Sequence, residues 1–229
     1  MSLLKVHDVL LDHYGPQRWW PARTNFEVMV GAVLTQNTAW TNVEKAITNL
    51  RAAQAMNAEA ILHAPQRQVA AWIRPAGYFN VKAKRLRNFC RWYLERGGAK
   101  KLQHLDTVAL RHELLAINGV GPETADDILL YAFHRPVFVI DAYTRRLLAR
   151  LQLAAGDESY EDLRRHIERT LKHATRGRRE LVPLYNEYHA LIVRHAKDVC
   201  KTRPRCEACC LSYRCPSTGT DEKHLQRTG

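Results

Sequence analysis

The chain has 229 residues, of which 46% are hydrophobic, so a real core can form as one large domain or two small ones. Lys and Arg number 35 against 23 Asp and Glu, a formal charge of +12 with a pI near 9.7, which suggests a polyanionic partner. No apolar run approaches the roughly 20 residues of a membrane span, and the amphipathic start from Met1 to Asp8 lacks the apolar stretch of a signal peptide, so a cytoplasmic protein with no membrane contact is expected.

Helical periodicity runs almost throughout, with no convincing strand alternation. Leu3, Val6, Leu10 and Tyr14 lie on one helical face. Thr24 or Asn25 can cap a helix carrying Phe26, Met29, Val30, Val33 and Leu34. Trp40, Val43, Ile47 and Leu50 form the next stripe. Short helices follow from Asn57 to His63 and from Arg67 to Ile73, separated by Pro65, and Pro75-Ala76-Gly77 is a turn. A basic helix from about Asn80 to Arg96 stops at Gly97-Gly98. Asp106 caps the helix that leads into Ile117-Asn118-Gly119-Val120-Gly121-Pro122. Further helices are expected from about Asp141 to Leu151, Ser159 to Thr170 and Leu181 to Lys197. The last residues, Ser217 to Gly229, are polar and are expected to fray.

Two short motifs carry chemistry. In Gly119-Val120-Gly121 the glycines let backbone amides point outward together, with no side chain in the way of a phosphate. Pro122 suits a first helical position, so the next helix's N-terminal dipole favours the same anion. Asp141 follows the apolar Val139-Ile140 and supplies a carboxylate. Taken alone, Gly-x-Gly is an ordinary turn and the aspartate an ordinary N-cap; the cysteines near the C-terminus tip both towards function.

Five of the six cysteines crowd together, and Cys200, Cys206, Cys209 and Cys215 give C-x5-C-x2-C-x5-C. In a reducing compartment such an array points to a metal rather than to disulfides. Four thiolates on one short loop suit a tetrahedral zinc or a cubane iron–sulfur cluster. Cys210 is the spare, and Cys90 reads as a small core residue.

The hairpin, the Asp141 motif and the four-cysteine loop together resemble the endonuclease III superfamily of helix-hairpin-helix DNA glycosylases, from about residue 1 to 215. The resemblance implies an all-α, two-domain fold with a C-terminal iron–sulfur cluster loop. The expected domains are a six-helix barrel over 24–135, carrying the hairpin, and a discontinuous helical domain over 1–23 and 136–215, with 216–229 a tail. It also implies a [4Fe-4S] cluster on Cys200, Cys206, Cys209 and Cys215, double-stranded DNA with a damaged base as partner, and a monomer. The spacing departs by one residue between the first two cysteines, which leaves Cys210 and zinc as alternatives.

Glu123 stands where bifunctional members carry the lysine that attacks the sugar. A carboxylate cannot form a Schiff base, so a monofunctional glycosylase without lyase activity is expected. Arg18-Trp19-Trp20-Pro21, the stretch Gly31 to Trp40, Arg74 to Tyr78 and Lys82 to Leu86 are most similar to the 3-methyladenine glycosylase branch, of which this chain would be a cluster-bearing relative. By that resemblance Trp19, Trp20, Pro21 and Trp40 line a pocket for a flipped, cationic alkylated purine. Gln36 fills the space the base leaves, Asp141 is the catalytic carboxylate, and Gly119, Val120 and Gly121 hold the DNA backbone. The rival expectations are a glycosylase for oxidised or mismatched bases and a non-catalytic, cluster-bearing DNA-binding module.

Overall fold

The computed structural model describes residues 1–17, 19 and 22–218; among them every regular element is helical and there is no strand. Arg18, Trp20, Pro21 and residues 219–229 lie outside the described residues. The chain divides into two compact units, Trp20–Arg135 and, in two pieces of sequence, Met1–Trp19 with Pro136–Gly229. Among the described residues no helix is long and apolar enough to cross a membrane. Counting α-helices along the chain, α1 is Leu3–Tyr14 and opens the discontinuous unit.

The central unit is built around α2 (Asn25–Leu34). Thr24 caps it, its Oγ1 accepting from Glu27 N at 3.2 Å. From Glu27 to Leu34 every residue is buried, as suits a helix enclosed on all sides. Its neighbours are α3 (Trp40–Ala52), α6 (Phe79–Glu95), α9 (Pro122–Asp127) and the π-helical turn Ile128–Ala132 that continues α9. Glu27 carries a charge into this interior and is answered by Arg51 of α3, whose Nε donates to Oε2 at 2.9 Å. Helices α4 (Ala58–His63) and α5 (Gln66–Trp72) pack on α6. The chain then resumes directly after Gly97 as the short α7 (Gly98–Leu102), which the glycine pair hides from sequence inspection.

The basic helix α6 differs from its sequence appearance. Lys82, Lys84, Arg85 and Arg87 read as a solvated or DNA-facing row, yet only Lys84 is exposed. Lys82 is 2% exposed, and its Nζ donates to Leu34 O at 2.9 Å and Ala76 O at 2.7 Å. Arg87 Nη1 donates to Ile61 O at 2.8 Å and Ala64 O at 2.5 Å. These carbonyls stand at or next to the ends of α2, of the 3-10 turn Arg74–Ala76 and of α4, where partners within the helix run out.

In the discontinuous unit α1 packs on α11 (Tyr160–Thr175) and α12 (Leu181–Asp198), and α12 also packs on α10 (Ala142–Arg150). The chain at residues 136–140 leads into α10 without regular secondary structure, with Val137, Phe138, Val139 and Ile140 buried. With no sheet to join, two of its amides turn to side chains: Phe138 N donates to Glu168 Oε1 at 2.9 Å and Ile140 N to Tyr160 Oη at 3.3 Å. After α12 the chain winds through 3-10 turns at Cys206–Ala208 and Ser212–Arg214.

Lys82 gives a test of this interior. Burial, reinforced by the charge of Arg85, lowers its ammonium to about 8. The neutral amine still has two N–H groups for its two carbonyls. The unfolded chain keeps that proton to about pH 10.4, so above pH ~8 it binds more protons than the folded chain, and folding gains as pH rises. Urea unfolding should therefore show wild type gaining on Lys82→Met between about pH 8 and pH 10. Parallel stability profiles would show that the amine is not titrating there.

Candidate functional site

The hairpin joins α8 (Thr107–Leu115) to α9. Asp106 Oδ1 caps α8 by accepting from Ala109 N at 2.8 Å, and Pro122 takes the first position of α9. Arg111 of α8 donates from Nε to Asp126 Oδ1 at 2.7 Å and from Nη2 to Oδ2 at 3.2 Å. Asp126 is fully buried, so this two-pronged pair locks one helix of the hairpin to the other. Val120 is buried beneath the turn, while Gly121, Pro122 and Glu123 are exposed.

The two glycines do different work. Gly119 has φ +100°, and a Cβ there would lie 2.3 Å from Arg85 Cγ, so the close approach of Arg85 demands glycine. Gly121 has φ −95°, and a Cβ there would meet nothing within 4 Å. The fold does not require glycine at 121, and the space above it is open.

Gln36 belongs to this hairpin. Its Nε2 donates to Gly119 O and to Thr124 Oγ1, both at 3.0 Å, and its Oε1 accepts from Arg85 Nη1. Neither Gln36 nor its neighbours cap α3, which has no side-chain cap: Thr35 Oγ1 bonds back to Gly31 O at 2.7 Å, and Thr38 Oγ1 accepts from Asn42 Nδ2 at 3.2 Å. Trp40, half-buried, opens α3.

In the other unit Asp141 is the N-cap of α10, with Oδ1 accepting from Thr144 N at 2.7 Å. Its other oxygen, Oδ2, lies 3.4 Å from His189 Nε2 of α12. Burial by itself would raise the carboxyl, but His189 and the Thr144 amide outweigh it and hold Asp141 below its ordinary value. The result is an ionised carboxylate in a nearly dry setting, its side chain 13% exposed. Trp19 lies in the same unit, and Lys197 Nζ stands 6.0 Å from its ring centre and 5.8 Å from that of Tyr143.

The cysteine loop is anchored by α10 and α12. Arg146 Nε donates to Cys200 O at 2.9 Å, and Arg150 Nη1 approaches Cys200 Sγ at 3.4 Å. Cys215 Sγ lies 3.6 Å from Arg150 O. Cys209 has Cys210, Cys200 and Cys215 as electrostatic neighbours, and its Sγ is 3.5 Å from His195 Nε2. Tyr14 Oη meets the other nitrogen of His195 at 2.9 Å. All these thiols are free. Among the described residues no three His, Cys, Asp or Glu side chains already form a metal-holding group.

His189, Arg85, Thr124 and the Arg111–Asp126 pair have no local motif, because each is defined by a partner far along the chain. The contrast between the glycines is directly testable. Gly119→Ala should cost on the order of 1–3 kcal/mol of stability, through a strained backbone and the collision with Arg85. Gly121→Ala should stay within about 0.5 kcal/mol of wild type while weakening whatever approaches the open face, duplex DNA by the expectation above. Thermal melts together with duplex-binding titrations separate the two effects, and equal melting losses would contradict the assignment.

Comparison with known proteins follows the same lines. The family described as HhH-GPD superfamily base excision DNA repair protein matches residues 30–173. A Methanocaldococcus jannaschii protein provisionally named a DNA repair glycosylase is 44% identical over 218 residues, covering 94% of this chain and 96% of its own. Endonuclease III of Sulfolobus acidocaldarius is 29% identical over 195 residues, 84% of this chain and 82% of its own. Among solved structures, H. pylori 3-methyladenine DNA glycosylase bound to 1,N6-ethenoadenine has a TM-score of 0.77 at 30% identity, over 86% of this chain and 98% of that one. An endonuclease III–DNA complex has a TM-score of 0.79 at 18% identity, over 97% and 99%, a likeness of fold.

Proposed function

Since the chain belongs to the HhH-GPD superfamily of base excision DNA repair proteins and is a DNA glycosylase of that family, we propose that it is a monofunctional enzyme hydrolysing the N-glycosidic bond of alkylated purines such as 3-methyladenine in double-stranded DNA. The ionised, nearly dry Asp141 carries this reading. The similarity to a 3-methyladenine glycosylase over nearly all of that enzyme's length supports the substrate class.

Duplex DNA is held through its backbone at Gly119-Val120-Gly121, where open space above Gly121 leaves room for a phosphate. The damaged nucleotide leaves the stack, because its glycosidic bond is out of reach inside the duplex. Gln36 enters the vacated space, giving up its bonds to Gly119 and Thr124. Trp19, Trp20, Pro21 and Trp40 receive the base, and aromatic faces suit a cationic one. An N-alkylated purine already leaves easily as a neutral base, so little acid catalysis is needed. Asp141 faces the sugar cation that develops and accepts a proton from the attacking water. Glu123 provides no amine, and the product is an intact strand with an abasic site.

Cys200, Cys206, Cys209 and Cys215 would hold a [4Fe-4S] cluster, whose contribution is to fold the loop rather than to react. The donor chemistry fits, since four cysteines outside any disulfide sit on one short loop and Cys200, Cys209 and Cys215 are electrostatic neighbours. Arg146 and Arg150 brace that loop from α10.

Two experiments test these assignments. In single-turnover release from a duplex carrying 3-methyladenine, Asp141→Asn should bind normally and slow on the order of a hundredfold or more, and borohydride should trap no adduct with either protein. Near-wild-type release by Asp141→Asn would remove the catalytic assignment, and efficient trapping would restore the lyase reading. Purified protein should contain iron and acid-labile sulfide, and Cys206→Ser should lower both along with the folded yield; stoichiometric zinc in protein prepared without oxygen would replace the cluster by a zinc site.

A further inference from the structure

The approach at 136–140 and the α10 N-terminus fix where Asp141 stands, but the cap engages only one of its oxygens. The second faces α12. There His189, with a side chain 6% exposed, presents Nε2 at 3.4 Å from Oδ2. A carboxylate has no proton to give, so the contact requires that His189 carry its hydrogen on Nε2. We propose that His189 is the positioning residue of the catalytic carboxylate, orienting Asp141 through its second oxygen from α12. This inference rests on the catalytic reading of Asp141 and deepens it.

The geometry separates three influences on one carboxyl group. Burial favours the neutral acid, while the Thr144 amide and the His189 ring favour the anion. The amide belongs to the helix start and is present in any capped α10. The Thr144 hydroxyl adds to the amide from the same helix start, whereas His189 is the contribution added from another helix.

Other charged or titratable groups on the surrounding elements engage groups other than Asp141, although the buried Tyr188 hydroxyl has no hydrogen-bond partner among the described residues. His7 and Asp8 of α1 meet each other at 2.8 Å, and Arg179 also bonds Asp8 at 2.8 Å. On α12, Tyr188 stacks edge-on against Phe138 and His7, and Tyr185 Oη donates to Glu168 O of α11 at 3.4 Å. Glu168 is held by Arg164 and by Phe138 N. Tyr160 Oη serves Ile140 N. On α10, Arg145 donates to Glu158 O, and Arg146 to Cys200 O and Ala196 O. Lys197 lies against the Trp19 and Tyr143 rings. His189 is thus the charged or titratable group that meets Asp141 at ion-pair distance.

A general base must be ionised to act, so the acid limb of the pH–rate profile follows the carboxyl. Because His189 lowers that value, its removal must raise it, and activity must be lost at a higher pH on acidification. The test is single-turnover 3-methyladenine release across about pH 3 to pH 8, a window reaching below the ordinary aspartate value, for wild type, His189→Leu and His189→Gln. His189→Leu should move the acid limb upward by on the order of one pH unit and cost least at the alkaline end; His189→Gln, whose amide N–H can still reach Oδ2, should move it back. A uniform fall at every pH, with the acid limb in place for both variants, would make His189 a packing residue and overturn the inference. Carbon-13 NMR titration of the Asp141 carboxyl in the DNA-free protein reads the same quantity without catalysis. If His189→Leu does not fold, the titration of His189→Ala against wild type decides, an unchanged midpoint overturning the proposal. Asp141→Asn run in parallel keeps the two claims apart. Full activity there sinks the catalytic reading, whereas an inactive Asp141→Asn with unshifted His189 variants sinks only this one.

Discussion

Short helices have many ends, and every end leaves carbonyls without partners; satisfying them organises both units. The donors come mostly from cations on other helices. Lys82 serves the ends of α2 and the 3-10 turn, and Arg87 the end of α4. Arg135 donates to Gln103 O and Leu105 O just past α7. Arg146 and Arg150 reach Ala196 in the last turn of α12 and Cys200, Lys201 and Thr202 beyond it, and Arg205 returns to Asp198 O. Charge-assisted bonds are the stronger kind, and a guanidinium can bind two carbonyls at once. The basic composition is therefore partly structural, and the +12 overstates the positive charge available to a polyanion.

The same logic with reversed sign describes Asp141. A helix start offers unsatisfied N–H groups, and a carboxylate there is both a cap and a buried anion. Most N-caps stop at that. Asp141 adds a histidine from α12 on its free oxygen and remains ionised though mostly removed from water. A structural aspartate and a chemically useful one thus share one position, and the ordinary reading of Asp141 as a cap is true without displacing the functional one.

How much was legible in sequence follows the range of the physics involved. Elements set by local signals appear where their residues place them: Thr24, Asn57, Asp106 and Asp141 each cap the helix they precede, and Pro122 starts α9. The all-α class and the superfamily were readable from the hairpin, Asp141 and the cysteine spacing together. Elements defined across the chain were not. Lys82 looks like any surface lysine until Leu34 and Ala76 arrive beside it, and His189 is one more residue in an apolar helix until α10 packs against it. Gln36 carried a polar signal that gave no hint of its bonds to the hairpin, more than eighty residues away. The end of α11 at Thr175, later than Thr170, shows how weakly a polar terminal turn marks itself.

The discontinuity of the unit containing α1 has a consequence during synthesis. The apolar stripe Leu3, Val6 and Leu10 is covered by α11 and α12, which begin only at Tyr160 and Leu181. At about 5–20 residues per second, the ribosome delivers that cover roughly 10–30 seconds after the stripe itself. The intervening residues Trp20–Arg135 form a unit with its own interior and can close in the meantime. The nascent chain therefore passes through a stage in which a finished body trails an uncovered amphipathic helix. That helix is an apolar segment a chaperone would meet, and slow translation between Arg135 and Tyr160 would prolong its exposure without disturbing the body already formed.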